Sequence, residues 1–191
     1  MRALEEKILN EGEVLPGGIL KVGSFLNQKI DTAFTREMAL EIVRLYEGSE
    51  ITKVFTMESS GIAIGYATAL ELGVPFVFAK KNRAANQSGN MITANIHSYT
   101  HGNDYVACVA ADYFDKGDKI LIVDDFLANG AALNGLIEMV ASAGAELVGC
   151  AIQIEKGFQK GGDKLRAAGV RVESLALIDE MTDDGGIKFR R

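Results

Sequence analysis

The stretch that most constrains the fold is KILIVDDFLANGAAL, residues 119 to 133, in which an aliphatic run stops at Asp124 and Asp125. A short continuous apolar run is typical of a strand that is buried on both faces of a parallel sheet. The small residues after the acids lead into a helical pattern. Parallel sheets bind their ligands beyond the carboxyl ends of the strands, where helix N-termini expose free N–H groups. The stretch therefore predicts a ligand site beside the two acids.

The remainder of the chain repeats this alternation of strand and helix. Apolar, β-branched runs predict strands at 51–57, 74–81, 145–155 and 170–178, and helical patterns cover 35–48, 62–73, 130–144 and 163–169. The helix at 35–48 is predicted to begin at a capping Thr35 and to stop at Gly48. We expect one α/β domain over residues 1–191, with a parallel sheet flanked by helices.

Two regions depart from this alternation. Residues 1–34 have no clear period and are predicted to form a small N-terminal hood over the sheet. Residues 82–104 begin with NRAANQSG, which has almost no aliphatic side chain, and continue into two strand-like runs joined at HGND. We expect a mobile loop and hairpin there.

Charge and cysteine content narrow the class of protein. The net charge of -6 argues against a nonspecific binder of nucleic acid or of membranes, because both need a basic face. No stretch approaches the roughly 18 apolar residues that a membrane span requires. Cys108 and Cys150 each lie in an apolar run, which favours buried thiols in a reducing compartment. We expect a cytoplasmic protein with a small-molecule partner.

The residues after the two acids can accommodate a phosphate. Their small side chains let the backbone approach an anion closely, and the dipole of the following helix favours negative charge. The carboxylates of Asp124 and Asp125 would repel that phosphate, so we expect them to accept O–H groups from another part of the same ligand. A ribose phosphate meets both requirements. The predicted phosphate-binding residues are Ala128, Asn129, Gly130, Ala131 and Ala132.

This segment resembles the signature of the type I phosphoribosyltransferases, in which a hydrophobic run and Asp-Asp precede Ala-Thr-Gly-Gly-Thr. Asn129 and Ala132 stand where that family often has threonine. Together with ESSGIAIG (58–65), LKVGSFLNQKID (20–31) and EKGFQKGG (155–162), the ANG tripeptide is similar to the xanthine-specific branch of the family. The resemblance covers nearly the whole chain.

The resemblance implies a reaction between phosphoribosyl pyrophosphate and xanthine in purine salvage. It implies that Mg²⁺ binds together with phosphoribosyl pyrophosphate, and no protein side chain is assigned as a metal ligand. It implies that Glu58, Ser59, Ser60 and Gly61 hold the pyrophosphate, although the same residues read alone are a helix N-cap. It also implies a homodimer. Lys81, with Lys80, is predicted either to assist the leaving pyrophosphate or to be a solvated strand end.

The base is predicted to bind where Lys156 and Phe158 follow a strand. An aromatic ring there can stack on a purine, while an ammonium donates to an exocyclic oxygen. The resemblance implies that Leu20 and Asn27 join Lys156 in this contact. Guanine, hypoxanthine or adenine as the base, or a noncatalytic regulator that senses phosphoribosyl pyrophosphate, remain the alternatives.

Overall fold

A computed structural model describes residues 1–81, 89–98 and 103–191. The predicted loop at 82–89 lies almost wholly outside the described residues. The strands are β1 (Glu13–Leu15), β2 (Ile19–Lys21), β3 (Lys53–Met57), β4 (Phe76–Lys81), β5 (Met91–Ser98), β6 (Asn103–Ala110), β7 (Lys119–Leu127), β8 (Glu146–Lys156), β9 (Val172–Met181) and β10 (Ile187–Phe189). The helices are α1 (Arg2–Glu11), α2 (Thr32–Leu45), α3 (Gly61–Leu72), α4 (Ala131–Ser142) and α5 (Gly161–Ala167), with a π-helical turn at Gly23–Asn27 and short 3₁₀ turns at Ala111–Tyr113 and Gly157–Gln159.

The centre of the molecule is an eight-stranded sheet in the order β10-β9-β8-β7-β3-β4-β6-β5. The five strands from β9 to β4 are parallel, which confirms the predicted parallel sheet flanked by helices. Both margins are antiparallel, since β10 pairs with β9 and the β5–β6 hairpin joins β4. The sequence patterns did not predict β10. Because the central strands run the same way, all their carboxyl ends meet at one edge of the sheet.

Two apolar cores cover the faces of the sheet. Helices α1, α2 and α3 bury side chains such as Ile8, Met38 and Ile64 against one face. Helices α4 and α5 cover the other face with side chains such as Leu136 and Leu165. Each helix contributes one apolar stripe, as the helical periodicity predicts. No helix within the described residues is long and apolar enough to cross a membrane.

The helix predicted at 35–48 begins earlier than the sequence pattern suggested. Its N-cap is Asp31, whose carboxylate accepts the backbone N–H of Phe34 at 3.1 Å, and Thr35 is a buried residue of the first turn. The prediction of Thr35 as the cap was therefore wrong. Asp31 is as good a capping residue as threonine and lies one position before the first helical residue.

Residues 1–31 form α1, the β1–β2 hairpin and the π-helical turn, and α2 begins at the next residue. The name hood, predicted for residues 1–34, is used below for residues 1–31. Its helix α1 packs through Leu4 and Ile8 into the core shared with β9. The amino group of Met1 donates to the carbonyl of Leu175 in β9, and Arg191 forms an ion pair with Glu5 at 2.8 Å. The hood is thus attached to the last parallel strand of the sheet.

Candidate functional site

The predicted site segments follow four neighbouring strands at the same edge of the sheet. In spatial order, β8 ends at Lys156, β7 carries the two acids and the loop after it, β3 ends before the 58–61 loop, and β4 ends at Lys81. The sequence separates these segments by up to a hundred residues. Their common edge follows from the parallel direction of the strands and gives one continuous surface for an extended ligand.

The paired acids lie inside β7 rather than at its end. Pairing with β3 stops at Ile122, whereas pairing with β8 continues to Leu127. Asp124 and Asp125 are 9% and 6% exposed. The carboxylates therefore emerge where β7 has lost one neighbour, and the loop after β3 faces them from that side.

Asp125 connects three parts of the site. The Ser60 hydroxyl donates to its Oδ1 at 2.9 Å, and the Asn27 amide donates to its Oδ2 at a long 3.4 Å. Ser60 belongs to the loop before α3, and Asn27 belongs to the hood. Two residues predicted for pyrophosphate and for the base thus meet the same acid, so the predicted subsites are contiguous.

Asp124 is held in an environment that opposes its ionisation. Burial and, second to it, the charge of Asp125 raise the pKa of Asp124 well above its ordinary value. Gly61 packs directly on this carboxylate, because a Cβ built on Gly61 would lie 2.5 Å from Oδ1 of Asp124 and closer still to the hydroxyl of Thr56. Only glycine fits between Asp124 and Thr56.

The loop from Ala128 to Ala132 joins β7 to α4 as predicted for a phosphate cradle. Gly130 has φ +92°, a conformation that favours glycine, and it precedes the first helical residue. The side chain of Asn129 accepts the backbone N–H of Ala131 at 3.0 Å. The backbone amide of Ala131, which was predicted to bind the phosphate, therefore already donates to a side chain of the same loop. The amides of Gly130 and Ala132 stay candidates, since the first turn of a helix has no internal acceptors for its N–H groups.

The loop at 58–61 is anchored to the neighbouring strand β4. Glu58 donates its N–H to the carbonyl of Ala79 at 2.9 Å, and its carboxylate accepts the N–H of Lys81 at 2.6 Å. The peptide bond from Glu58 to Ser59 is cis. Gly61 then begins α3, so the loop presents a helix N-terminus toward the acids.

Lys81 lies at the carboxyl end of β4, close enough to influence the acids. Its ammonium is one of the charges that act on Asp124, where it lowers the carboxyl pKa against the larger effects of burial and Asp125. The same ammonium lies 5.5 Å from the ring centre of Tyr105 on β6. This location is consistent with either predicted role of Lys81.

At the β8 end, Lys156 bridges to the hood. Its ammonium donates to the carbonyl of Gly18 at 2.8 Å and lies 5.6 Å from the ring centre of Phe126. Burial lowers the pKa of Lys156. Phe158 adjoins the same turn, because a Cβ on Gly18 would lie 3.4 Å from Cε2 of its ring. Lys156 and Phe158 therefore both lie beside the hood, and the base site there stays a prediction.

The hood supplies the other two predicted base residues from separate elements. Leu20 lies in β2 and is buried in the core, and Asn27 ends the π-helical turn above Asp125. Sequence reasoning missed Phe126, which places an aromatic ring beneath Lys156. Its position directly after the paired acids was the available signal.

No three His, Cys, Asp or Glu side chains within the described part of the chain are grouped to hold a metal ion. Mg²⁺ can be bound by one or two carboxylates when substrate phosphates supply further oxygens. The adjacent carboxylates of Asp124 and Asp125 are oxygen donors of that kind. The donor set therefore fits a Mg²⁺ that arrives with a phosphorylated substrate.

Comparisons with known proteins agree in both sequence and fold. The family model of the phosphoribosyl transferase domain matches residues 22–183. A xanthine phosphoribosyltransferase of Bacillus cereus is 47% identical over 189 residues, covering 99% of this chain and 95% of the relative. Xanthine phosphoribosyltransferase 1 of Clostridium perfringens is 49% identical over 185 residues, covering 96% of this chain and 97% of the relative. The crystal structure of adenine phosphoribosyltransferase from Rhodothermus marinus matches with a TM-score of 0.75 at 25% identity, covering 93% of this chain and 99% of that one.

Proposed function

The chain belongs to the phosphoribosyltransferase family, and from that premise we propose that it transfers the 5-phosphoribosyl group of phosphoribosyl pyrophosphate to xanthine. The products are xanthosine monophosphate and pyrophosphate. The observation that carries the proposal is the hood closing over the carboxyl edge of the sheet, with Asn27 bonded to Asp125 and Lys156 bonded to Gly18. The first contact joins Asn27, predicted to contact the base, to Asp125, predicted to bind the ribose, and the second joins the end of β8 to the hood.

In the proposed reaction a purine nitrogen attacks C1 of the ribose while the bond from C1 to the pyrophosphate oxygen breaks. The electrons of that bond leave with pyrophosphate, and positive charge develops on the ribose. The protein needs no nucleophile of its own. Its contribution is to hold base and sugar in line and to stabilise the leaving group with amides and cations.

We assign the ribose hydroxyls to Asp124 and Asp125, because buried carboxylates are strong acceptors for O–H donors. Negative charge on this pair of acids also balances the positive charge on the ribose in the transition state. Bound Mg²⁺, held by these carboxylates and by substrate oxygens, would supply further charge to stabilise the leaving pyrophosphate.

The two phosphate groups are assigned to the two loops that precede helices. Ala128 to Ala132 bind the 5-phosphate through backbone amides, and Glu58 to Gly61 bind the pyrophosphate. Lys81 stands next to the second loop through its N–H bond to Glu58 and adds positive charge there. The second loop adjoins the acids, because the Ser60 hydroxyl donates to Asp125, so the positive charge of Lys81 and Mg²⁺ is needed there to offset the repulsion between carboxylates and pyrophosphate.

Xanthine is assigned to the space between the hood and the end of β8. The Lys156 ammonium has three protons and uses one on Gly18, so it can donate another to the oxygen at purine position 6. Asn27 retains one N–H and its oxygen for the region of position 2. Phe158 stacks on the ring, and Leu20 provides an apolar side.

The direct test is incubation of the protein with phosphoribosyl pyrophosphate, Mg²⁺ and each base, with nucleotide and pyrophosphate measured separately. Xanthine should give the highest kcat/KM and adenine the lowest, because adenine lacks both oxygens. A preference for adenine would overturn the base assignment. If none of the purine bases is converted to a nucleotide, the proposed reaction is wrong.

We also propose that the protein is a homodimer that associates through α3. Tyr66 and Leu70 are one helical turn apart and are 59% and 64% exposed, so they offer two adjacent apolar side chains to a partner subunit. These side chains lie on the helix that begins at the proposed pyrophosphate loop. Sedimentation should give twice the chain mass, and Leu70→Glu should shift it toward a monomer. A fully active monomeric wild type would contradict the proposal.

We propose a cytoplasmic location on the basis of the cysteines. Cys108 and Cys150 are both buried and do not form a disulfide with each other. Buried thiols without disulfides suit a reducing compartment. Cell fractionation would test this location directly, and recovery outside the cytoplasmic fraction would contradict it.

A further inference from the structure

Two consecutive glycines at the start of α5 pack against different parts of the molecule. Gly161 lies on the loop after β7, where its N–H donates to the carbonyl of Ala128 at 3.1 Å. A Cβ on Gly161 would lie 2.6 Å from the carbonyl carbon of Asn129 and 2.7 Å from the nitrogen of Gly130. The proposed 5-phosphate loop therefore rests directly on the backbone of α5.

Gly162 packs instead on an ion pair whose acid, Glu155, is buried. A Cβ on Gly162 would lie 2.6 Å from Cδ of Glu155 and 2.8 Å from Nη1 of Arg166. Glu155 is 0% exposed, and its two carboxylate oxygens accept Nη1 and Nη2 of Arg166 at 2.9 and 2.6 Å. The Ser174 hydroxyl on β9 also donates to Glu155. The pair is thus bidentate and attached to two strands.

Arg166 fastens α5 at a second point. Its Nε donates to the carbonyl of Val172, the first residue of β9, at 3.1 Å. A helix of seven residues such as α5 has little stability of its own. Its position against the sheet must therefore come from tertiary contacts, among which are the buried Leu165 and the ion pair of the partly exposed Arg166 with the buried Glu155.

Stability alone does not account for a charge pair at this place. Replacing a buried ion pair with apolar side chains of similar volume is often neutral or stabilising. A bidentate pair between guanidinium and carboxylate does fix the direction of the helix, because two parallel bonds are satisfied in only one orientation. Glu155 also directly precedes Lys156 in β8.

We propose that Glu155 and Arg166 are positioning residues for the binding of phosphoribosyl pyrophosphate. The pair holds α5 in the orientation that brings Gly161 against Ala128, and this contact shapes the backbone that receives the 5-phosphate. Neither Glu155 nor Arg166 touches the substrate. The inference rests on the proposed function, since it assigns that loop to the same ligand.

The chain offers a matched control pair at the opposite edge of the sheet. Lys53 and Asp118 are both buried and joined at 2.5 Å, next to the amino ends of β3 and β7. Glu155→Gln and Asp118→Asn each neutralise the buried acid of an ion pair. Both should lower the melting temperature, whereas only Glu155→Gln disturbs the support of the 5-phosphate loop.

The experiment measures the Kd for phosphoribosyl pyrophosphate with Mg²⁺ by isothermal titration, together with kcat and KM. Glu155→Gln should raise the Kd about tenfold or more, because small misplacements of binding groups cost that much. Its kcat at saturating substrate should change less than threefold. Asp118→Asn should leave the Kd within about twofold of wild type.

Two further variants keep the proposal testable if Glu155→Gln does not fold. Arg166→Lys keeps the charge but loses the paired donors, and it should still weaken binding. Gly161→Ala leaves the ion pair intact while it pushes on Ala128, and it should weaken binding as well.

Equal small effects of Glu155→Gln, Arg166→Lys and Asp118→Asn on the Kd would refute the positioning role. A wild type that neither binds phosphoribosyl pyrophosphate nor uses xanthine would instead refute the proposed function. The wild-type measurement therefore separates the two failures.

Discussion

Replacement of Gly61 by alanine tests whether the position of Asp124 controls the reaction. In the folded protein the new Cβ would lie 2.5 Å from Oδ1 of Asp124 and closer to the Thr56 hydroxyl. Real Cβ atoms essentially never approach a heavy atom within 3.0 Å, so Asp124 must move by at least about 0.5 Å. Both neighbours are buried and have little room to yield.

Overpacking of a core by one methyl group costs about 1 to 3 kcal/mol. For a chain of this size each kcal/mol lowers the melting temperature by about 2 to 4 °C, so the expected decrease is roughly 2 to 12 °C. A shift of about 1 Å in a binding group reduces catalytic efficiency by about a hundredfold. We expect kcat/KM for phosphoribosyl pyrophosphate to decrease by about one to two orders of magnitude.

The control is Gly65→Ala in the same helix. Its Cβ would lie 2.5 Å from Cε2 of Phe76, a comparable overlap that involves no acid. The variant should lose stability but keep its kcat/KM within about threefold of wild type. Calorimetry and steady-state kinetics on both variants provide the comparison.

The double variant Thr56→Ala/Gly61→Ala separates stability from activity. Removing the Thr56 hydroxyl, which has no hydrogen-bond partner among the described residues, relieves the closer overlap. The melting temperature should partly recover, while kcat/KM stays low because Asp124 is still displaced. If Gly61→Ala alone retains wild-type efficiency in a folded protein, the reasoning about Asp124 is wrong.

Three further predictions concern the acids and the base. Asp124→Asn/Asp125→Asn should weaken ribose binding and reduce turnover, because each amide has half the acceptor capacity of a carboxylate; unchanged steady-state efficiency in a folded double variant would refute the ribose assignment. Because folding raises the pKa of Asp124, the native state holds that proton more tightly, so its contribution to stability is complete below about pH 4 and is lost as the pH rises through the folded pKa. Asp124→Asn should therefore become more stable relative to wild type as the pH rises through the folded pKa of Asp124, and urea unfolding that gives the opposite trend would contradict this. Asn27→Ala should narrow the ratio of kcat/KM for xanthine over hypoxanthine by about one order of magnitude, since one lost contact of a buried polar group costs about 1 to 3 kcal/mol; an unchanged ratio would remove Asn27 from the base site.

The sequence predicted the centre of the fold and the common edge of the site because both depend on local patterns. Asp124 and Asp125 interrupt an aliphatic run, and the parallel direction of neighbouring strands then determines which segments meet. The confirmed family resemblance depends on the same residues.

The predictions failed where a local pattern was weak or was overlooked. Leu4 and Ile8 are spaced as on one helical face, yet the hood was predicted to have no clear period, and α1 was missed. The strand β10 has only three residues, too few for a period to be recognised. Asn129 can form an Asx-turn, in which its side chain accepts the N–H of Ala131 two residues later. The prediction for the phosphate loop left this local hydrogen bond out.

Other features depend on tertiary contacts and could not be predicted from one sequence. Nothing in the order of residues indicates that Gly61 packs on Asp124 or that Gly162 packs on Glu155. These contacts join segments about 60 residues apart in the first case. The sequence shows a glycine at each of these positions, but only the neighbouring atoms in the folded protein explain why a larger side chain does not fit there.

The attachment of the hood to β9 has a consequence for the order in which the protein folds during its synthesis. Ribosomes make α1 well before β9, but Leu4, Ile8 and the Met1 amino group dock on that later strand. Domains generally fold as units as the chain appears. The parallel strands β3 and β4 can pair early, whereas the hood must wait for Leu175. In a nascent chain the loop at 58–61 can therefore form before the base site, which is complete only when the hood has docked on β9.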